Sequence, residues 1–103
     1  MKIIKILSNK ITEEICDAKS YAKLALQYKE EYPELSRTFY NLSSQEMDHM
    51  NKLHVEVTEI IRKYREQNGE PPADMMAVYE YIHEEQIEKA AEVKTLQTMY
   101  KES

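Results

Sequence analysis

The residues of this chain best suited to chemistry are Glu46 and His49, a Glu-x-x-His pair in a segment that reads as a long helix. A helix turns about 100° per residue, so side chains three positions apart share a face and can reach one ligand. Carboxylate and imidazole together suit iron(II), manganese(II) or zinc. The spacing therefore predicts half of a metal site.

Glu46 also falls on an apolar stripe, where leucine would be expected. Apolar residues recur at helical spacing between Pro33 and Gly69. They are Leu35, Phe39, Leu42, Met50, Leu53, Val57, Ile60, Ile61 and Tyr64. A carboxylate within such a stripe is costly unless a cation or a hydrogen-bond donor accompanies it. We therefore expect Glu46 to point inward toward a partner.

The preceding segment repeats this anomaly with Glu14. Its apolar face consists of Ile11, Ile15, Ala18, Tyr21, Ala22, Ala25, Tyr28 and Tyr32. In an antiparallel hairpin, Glu14 and Glu46 are equidistant from residue 30, beside the break at Glu30–Pro33, and should lie level to within about one turn. Glu14 is thus a third predicted ligand, with Asp17 in reserve one turn later. A plainer reading makes Thr12 a helix N-cap, with Glu14 stabilising the helix dipole.

A second Glu-x-x-His pair, Glu80 and His83, lies in the last segment. Both are further candidate ligands, although a partly buried histidine satisfied by a neighbour would have the same pattern. With the second turn centred near residue 70 or 71, His83 should lie level with Thr58. That position is more than about 10 Å along the helix from His49. A simple bundle would leave Glu80 and His83 away from the first site.

Composition predicts an all-α fold, because the 103 residues include one Gly and three Pro and are rich in helix formers. We expect a single helical domain over residues 1–103, with helix one at about 11–31, helix two at about 34–68 and helix three at about 73–101. Pro33 suits a first helical turn, and Asn68-Gly69 suits a helix end. Short loops then predict a three-helix antiparallel (up-down-up) bundle with two long helices.

Size and charge indicate which partners to expect. So short a chain buries a modest core, so we predict a homo-oligomer, a dimer or higher. A net charge of −5 with scattered Lys and Arg argues against binding nucleic acid. No apolar run is long enough for a membrane span, and the start does not have the pattern of a secretory signal. With Cys16 as the only cysteine, the sequence predicts a cytoplasmic protein.

These residues resemble the ferritin-like di-metal carboxylate proteins, in which inward glutamates and Glu-x-x-His motifs hold two metals. The resemblance covers about residues 11–54. As in rubrerythrin-like members, Glu14 is followed seven residues later by Tyr21, and Phe39 stands seven residues before Glu46. The encapsulated ferritins are similar in size, since each short chain forms a ferritin-like hairpin and completes its di-iron site by dimerisation.

The resemblance implies that Glu14, Glu46 and His49 bind metal. The metal would be iron as a di-iron centre, with manganese or zinc as alternatives. Oxidation of iron(II) by oxygen or peroxide would follow, and Tyr21 would be a catalytic candidate as a nearby hydrogen-bond donor or electron source. The family usually has four helices with a crossover, whereas this chain has room for three. A second chain would therefore complete the site.

Two other functions fit the same residues. In a non-enzymatic oligomeric helical interaction module, the two inward glutamates would pair with Lys, Tyr or His across an interface without metal. In a structural metal-binding domain, zinc or calcium would be held without redox chemistry. The first predicts that an apolar replacement of Glu46 keeps or raises stability, and the second predicts metal binding without oxidation.

Overall fold

The computed structural model describes residues 1–103 and contains three α-helices joined by two short loops. They are α1 (Lys2–Gln27), α2 (Pro33–Asn68) and α3 (Ala73–Glu102). The all-helical prediction is therefore confirmed. No stretch of any helix combines the length and the apolar character needed to cross a lipid bilayer.

The first helix is longer at its start than the sequence predicted. We expected it to begin near residue 11 and to end near residue 31, but α1 begins at Lys2 and ends at Gln27. Thr12, the predicted N-cap, lies inside α1, and Ser8 one turn before it is only 4% exposed. Ile4 is 2% exposed and extends the buried line of α1 by two turns before Ile11. Glu14 is therefore an interior position of α1, and the capping interpretation of this residue is wrong.

The other helix ends follow local chemistry. Pro33 occupies the first turn of α2, where its missing N–H is not needed. Gly69 ends α2 with a φ of 78°, a conformation that favours glycine, and its N–H bonds to the carbonyl oxygen of Arg65. At the far end of the molecule, Lys29 Nζ donates to the Ser103 carbonyl oxygen at 2.7 Å and to the Tyr100 carbonyl oxygen. This contact places a cation at the negative end of α3.

Helix α1 packs against both other helices, whereas α2 and α3 contact each other at few points. Between α1 and α2, Ser43 Oγ donates to the carbonyl oxygen of Ala18 at 2.7 Å, and Ser36 Oγ donates to that of Ala25. Between α1 and α3, Gln86 Nε2 donates to the carbonyl oxygen of Ser8 at 3.0 Å. These side-chain bonds to the backbone fix the register of α1 against both neighbours.

Small residues form the tightest part of the interface between α1 and α2. On α1 they belong to the predicted apolar face, whereas on α2 two of them are serines outside the predicted stripe. The residues that are 0% exposed there are Ala18, Ala22, Ala25, Ser36 and Ser43. Because the backbones approach closely, large side chains move to the edges, and Leu35 is 46% exposed. The buried line of α2 runs through Ser43 and Met47, so Glu46 lies beside it rather than at its centre. Both glutamates of the predicted site are half-buried at the edge of this interface.

Close packing at this interface gives a direct test. We expect Ala22→Leu to lower the free energy of unfolding by about 1–3 kcal/mol, because the added atoms must separate α1 from α2. Ala77→Leu is the control, since Ala77 is an exposed position of α3. Urea unfolding followed by circular dichroism measures both variants. Equal midpoints for the two would contradict the close approach of the helices.

Candidate metal centre

Glu14, Glu46 and His49 converge at one edge of the α1–α2 interface. One ligand atom of each lies within 4.8 Å of the others. His49 Nδ1 is 3.5 Å from Glu14 Oε2 and 3.8 Å from Glu46 Oε1. The structure thus brings together the three residues that the sequence singled out, one from α1 and two from consecutive turns of α2.

The two separations that involve His49 suit a common ion. Nitrogen and oxygen ligands of such metals lie about 2.0–2.2 Å from the ion, so two ligands of one ion are roughly 3–4.4 Å apart. Both distances from His49 Nδ1 fall inside that range. The exposed fractions of the side chains are 24% for Glu14, 18% for Glu46 and 52% for His49. The carboxylates therefore lie deeper than the imidazole, which leaves the site open to solvent on one side.

Without a cation, the negative charges of the two carboxylates repel each other. Glu14 Oε2 is buried and has no hydrogen-bond partner. A hydrogen bond with Glu14, burial and the negative charge of Glu14 raise the pKa of Glu46 from 4.5 to about 7, while His49 opposes the rise. A proton held by Glu46 provides the donor that the Glu14 oxygen otherwise lacks. A metal cation would stabilise both carboxylates in the ionised form.

Asp17 and Tyr21 lie near the cluster but outside it. Asp17 is exposed, and its negative charge contributes to the raised pKa of Glu46. The ring of Tyr21 stacks on that of Phe39, with a centroid distance of 6.2 Å and an angle of 24° between the planes. Tyr21 lies two turns, about 10 Å, along α1 from Glu14. The structure thus gives Tyr21 a packing partner, and its catalytic role stays a prediction.

The structure does not bring Glu80 and His83 to the cluster. Glu80 is exposed. The ring of His83 stacks on that of His54 with a centroid distance of 4.7 Å, and His83 Nδ1 is buried without a hydrogen-bond partner. The predicted neighbour of His83 was Thr58, so the true register is offset by about one helical turn. The contact of His83 with His54 is a feature that counting from the turn did not reveal.

Comparisons with known proteins returned no family model, no curated protein and no solved structure that matches this chain. The residues themselves are therefore the basis for inferring a function: three ligand atoms converge, and one buried carboxylate oxygen has no hydrogen-bond partner.

Proposed function

We propose that this protein binds iron or manganese through Glu14, Glu46 and His49. The observation that carries the proposal is the convergence of three ligand atoms within 4.8 Å, with a buried Glu14 oxygen that has no donor once Glu46 is ionised. A buried carboxylate oxygen without a partner is uncommon in folded proteins, and a cation is one partner that serves two carboxylates together. Exposed acidic clusters occur without metals, but these two glutamates are half-buried.

The ligand types favour a redox-capable ion. Two carboxylates with one imidazole suit iron(II) or manganese(II), and zinc is the alternative. Iron would supply the capacity to be oxidised by oxygen or peroxide, as the ferritin-like resemblance implies. The chain's own residues hold the ion, keep one side of the site open to solvent and release the proton of Glu46 when the ion binds. Calcium is less suited, because its preferred ligands are oxygen atoms.

The arrangement that we propose is a three-helix antiparallel bundle completed by a second copy of the chain. Serine contacts support the antiparallel pairing, since Ser36 contacts Ala25 while the later Ser43 contacts the earlier Ala18. Half-buried apolar residues share a face of α2 with Glu46, because they lie four or seven positions from it. They are Phe39, Leu42 and Leu53.

Association across this face would cover these residues and add a second set of ligands. Three protein ligands leave coordination positions open on an ion that accepts four or more. A second copy would bring its own two glutamates and histidine to the same place. This arrangement would provide enough ligands for two metals, as in the di-iron proteins that the sequence resembles.

The test is to measure metal content and iron oxidation on one sample. The protein is loaded anaerobically with iron(II), freed of excess metal and then exposed to oxygen, and light scattering records its mass. We expect about one iron per chain, conversion to iron(III) and a dimeric or larger mass. Glu46→Ala should lose both binding and oxidation. Asp48→Asn is the matched control, because it removes an exposed carboxylate from the same helix outside the cluster.

Each other outcome identifies a different function. Metal binding without oxidation would support a structural metal site. Wild-type protein without bound metal, beside an equally folded Glu46→Ala variant, would contradict the proposal and favour a helical interaction module. Iron that remains bound after Glu46→Ala would place the metal at other residues.

A further inference from the structure

A groove of about 620 Å³ runs between α2 and α3, away from the metal centre. The groove residues of α2 include Ser44 and Asn51, which lie about 200° around the helix from Glu46 and His49 respectively. Ile11 of α1 also lines the groove. The groove therefore belongs to a different face of α2 from the one that presents the metal ligands.

Stacked rings connect the two helices on either side of a stretch of small residues. The His54 and His83 rings lie 4.7 Å apart, and the Tyr40 and Tyr100 rings lie 4.8 Å apart with 16° between their planes. The intervening lining includes Ser44, Ala90 and Ala91. Rings are larger than these side chains, so the stacks separate α2 from α3 while the small residues leave the space unfilled. The result is a slot between two helices.

The slot carries positive charge in an acidic protein. Its charged lining residues other than histidine are Lys94, Lys101 and Asp48, and none of the three makes an ion pair. Lys101 Nζ lies 5.7 Å from the centre of the Tyr40 ring. Two lysines against one aspartate make the groove net positive, whereas the whole chain has a charge of −5. The groove should therefore attract an anion in spite of the overall charge.

We propose that this groove binds a small aromatic anion, with its rings between α2 and α3 and its anionic group beside Lys94 and Lys101. Methionine sulfur makes favourable contacts with aromatic rings, and Met47 and Met50 both line the groove. Asp48 would repel a second anionic group, so a ligand with one negative charge fits best.

Two dyes with the same rings test the proposal. 8-Anilinonaphthalene-1-sulfonate carries one sulfonate, and N-phenyl-1-naphthylamine is its uncharged counterpart. We expect fluorescence titration to give saturable binding of the sulfonate with one site per chain. The double variant Lys94→Gln/Lys101→Gln should raise the Kd of the sulfonate about tenfold, since two favourable charges are lost. The Kd of the uncharged dye should stay within about twofold.

A second variant tests the location without changing charge. Ala91→Phe places a ring in the slot and should weaken both dyes at least about fivefold. The controls are Lys23→Gln/Lys89→Gln and Ala77→Phe, which make the same changes at exposed positions outside the groove. Circular dichroism establishes that all four variants remain helical.

Other results would overturn the proposal. If the groove variants bind the sulfonate as the controls do, the dye lies elsewhere. If Ala91→Phe lowers the oligomeric mass, a second copy of the chain occupies the groove instead. Iron binding is measured on Ala91→Phe as well, and we expect it to equal that of the wild type. Failure of the groove proposal is thereby separable from failure of the metal site.

Discussion

Replacing Glu46 with glutamine should stabilise the metal-free protein by about 1–3 kcal/mol above pH 7 and have little effect at pH 4.5. Contact with Glu14 and burial raise the pKa of Glu46 from 4.5 to about 7 in the folded state. Well below pH 4.5, Glu46 is protonated in both the folded and the unfolded state and contributes no penalty. Between pH 4.5 and 7, the unfolded chain ionises Glu46 while the folded protein keeps its proton, so stability is lost, and above pH 7 the penalty is constant because both states are ionised.

The Glu46→Gln variant keeps a hydrogen bond to Glu14, but the side chain at position 46 no longer titrates. Its amide can donate to the Glu14 oxygen at every pH, as protonated Glu46 does at low pH. The difference between variant and wild type should therefore grow between pH 4.5 and 7 and then level off. Urea unfolding at a series of pH values in the presence of a chelator measures it.

The control for this prediction is Asp48→Asn, an exposed position two residues away. It changes the net charge of the protein equally but does not touch Glu14. A constant difference for Glu46→Gln across the pH range would show that the two glutamates do not share a proton.

Sequence periodicity identified the helices because hydrophobic spacing and helix-ending residues act locally. Pro33 and Gly69 determine their helix ends through their own backbone preferences. Ser8 shows the limit of such reasoning. A serine is a common N-cap, but here its backbone carbonyl accepts a bond from Gln86 of α3. A contact so distant in the sequence leaves no local pattern.

The convergence of the candidate ligands was predictable by counting residues along α1 and α2 from the turn between them. Glu14 and Glu46 lie level when both helices are counted from the turn, and one ligand atom of each lies in the cluster. The extent to which the two glutamate side chains are buried was less predictable. Ser36 and Ser43 occupy the tightest part of the interface because small residues permit close approach, so Glu46 is displaced to the edge. A polar residue in the core is not expected from hydrophobicity alone.

Helix α3 was harder to place because its apolar face is weakly defined. Its fully buried residues are Gln86 and Val93, and Ile87 is 56% exposed. Gln86 fixes the register through hydrogen bonds to Ser8 and Thr12 on α1. Counting residues from the second turn placed His83 beside Thr58, and the actual contact is with His54. A register set by polar contacts such as those of Gln86 is not visible from a pattern of apolar residues.

Glu46 should destabilise the metal-free protein above pH 7 but stabilise the protein when manganese(II) is bound. A ligand that binds only the folded state adds about 2.7 kcal/mol at a hundred times its Kd. For a domain of this size, that gain corresponds to a rise in Tm of roughly 10–20 °C. Glu46→Gln should have a higher Tm than wild type without metal at pH 8 and gain little when manganese is added. Thermal unfolding with and without the metal measures both effects.

Proton release provides an independent readout of the same event. Because the pKa of Glu46 is about 7, metal binding at pH 6 should displace nearly one proton from this residue. The number released should fall as the pH rises to 8. Titration calorimetry in two buffers of different ionisation enthalpy gives that number. Binding without a pH-dependent release would mean that the metal does not replace the Glu46 proton.

The His49→Ala variant distinguishes the loss of a metal ligand from the relief of carboxylate repulsion. Its side chain is 52% exposed, so His49→Ala should change metal-free stability by less than about 0.5 kcal/mol. Loss of a ligand should nevertheless weaken manganese binding at least about a hundredfold, because even supporting residues of metal sites contribute tenfold or more. An interaction module also predicts that Glu46→Gln is stabilising, but it predicts no metal effect for either variant. A large metal-dependent Tm rise that His49→Ala abolishes, while metal-free stability is unchanged, is expected only if His49 is a ligand.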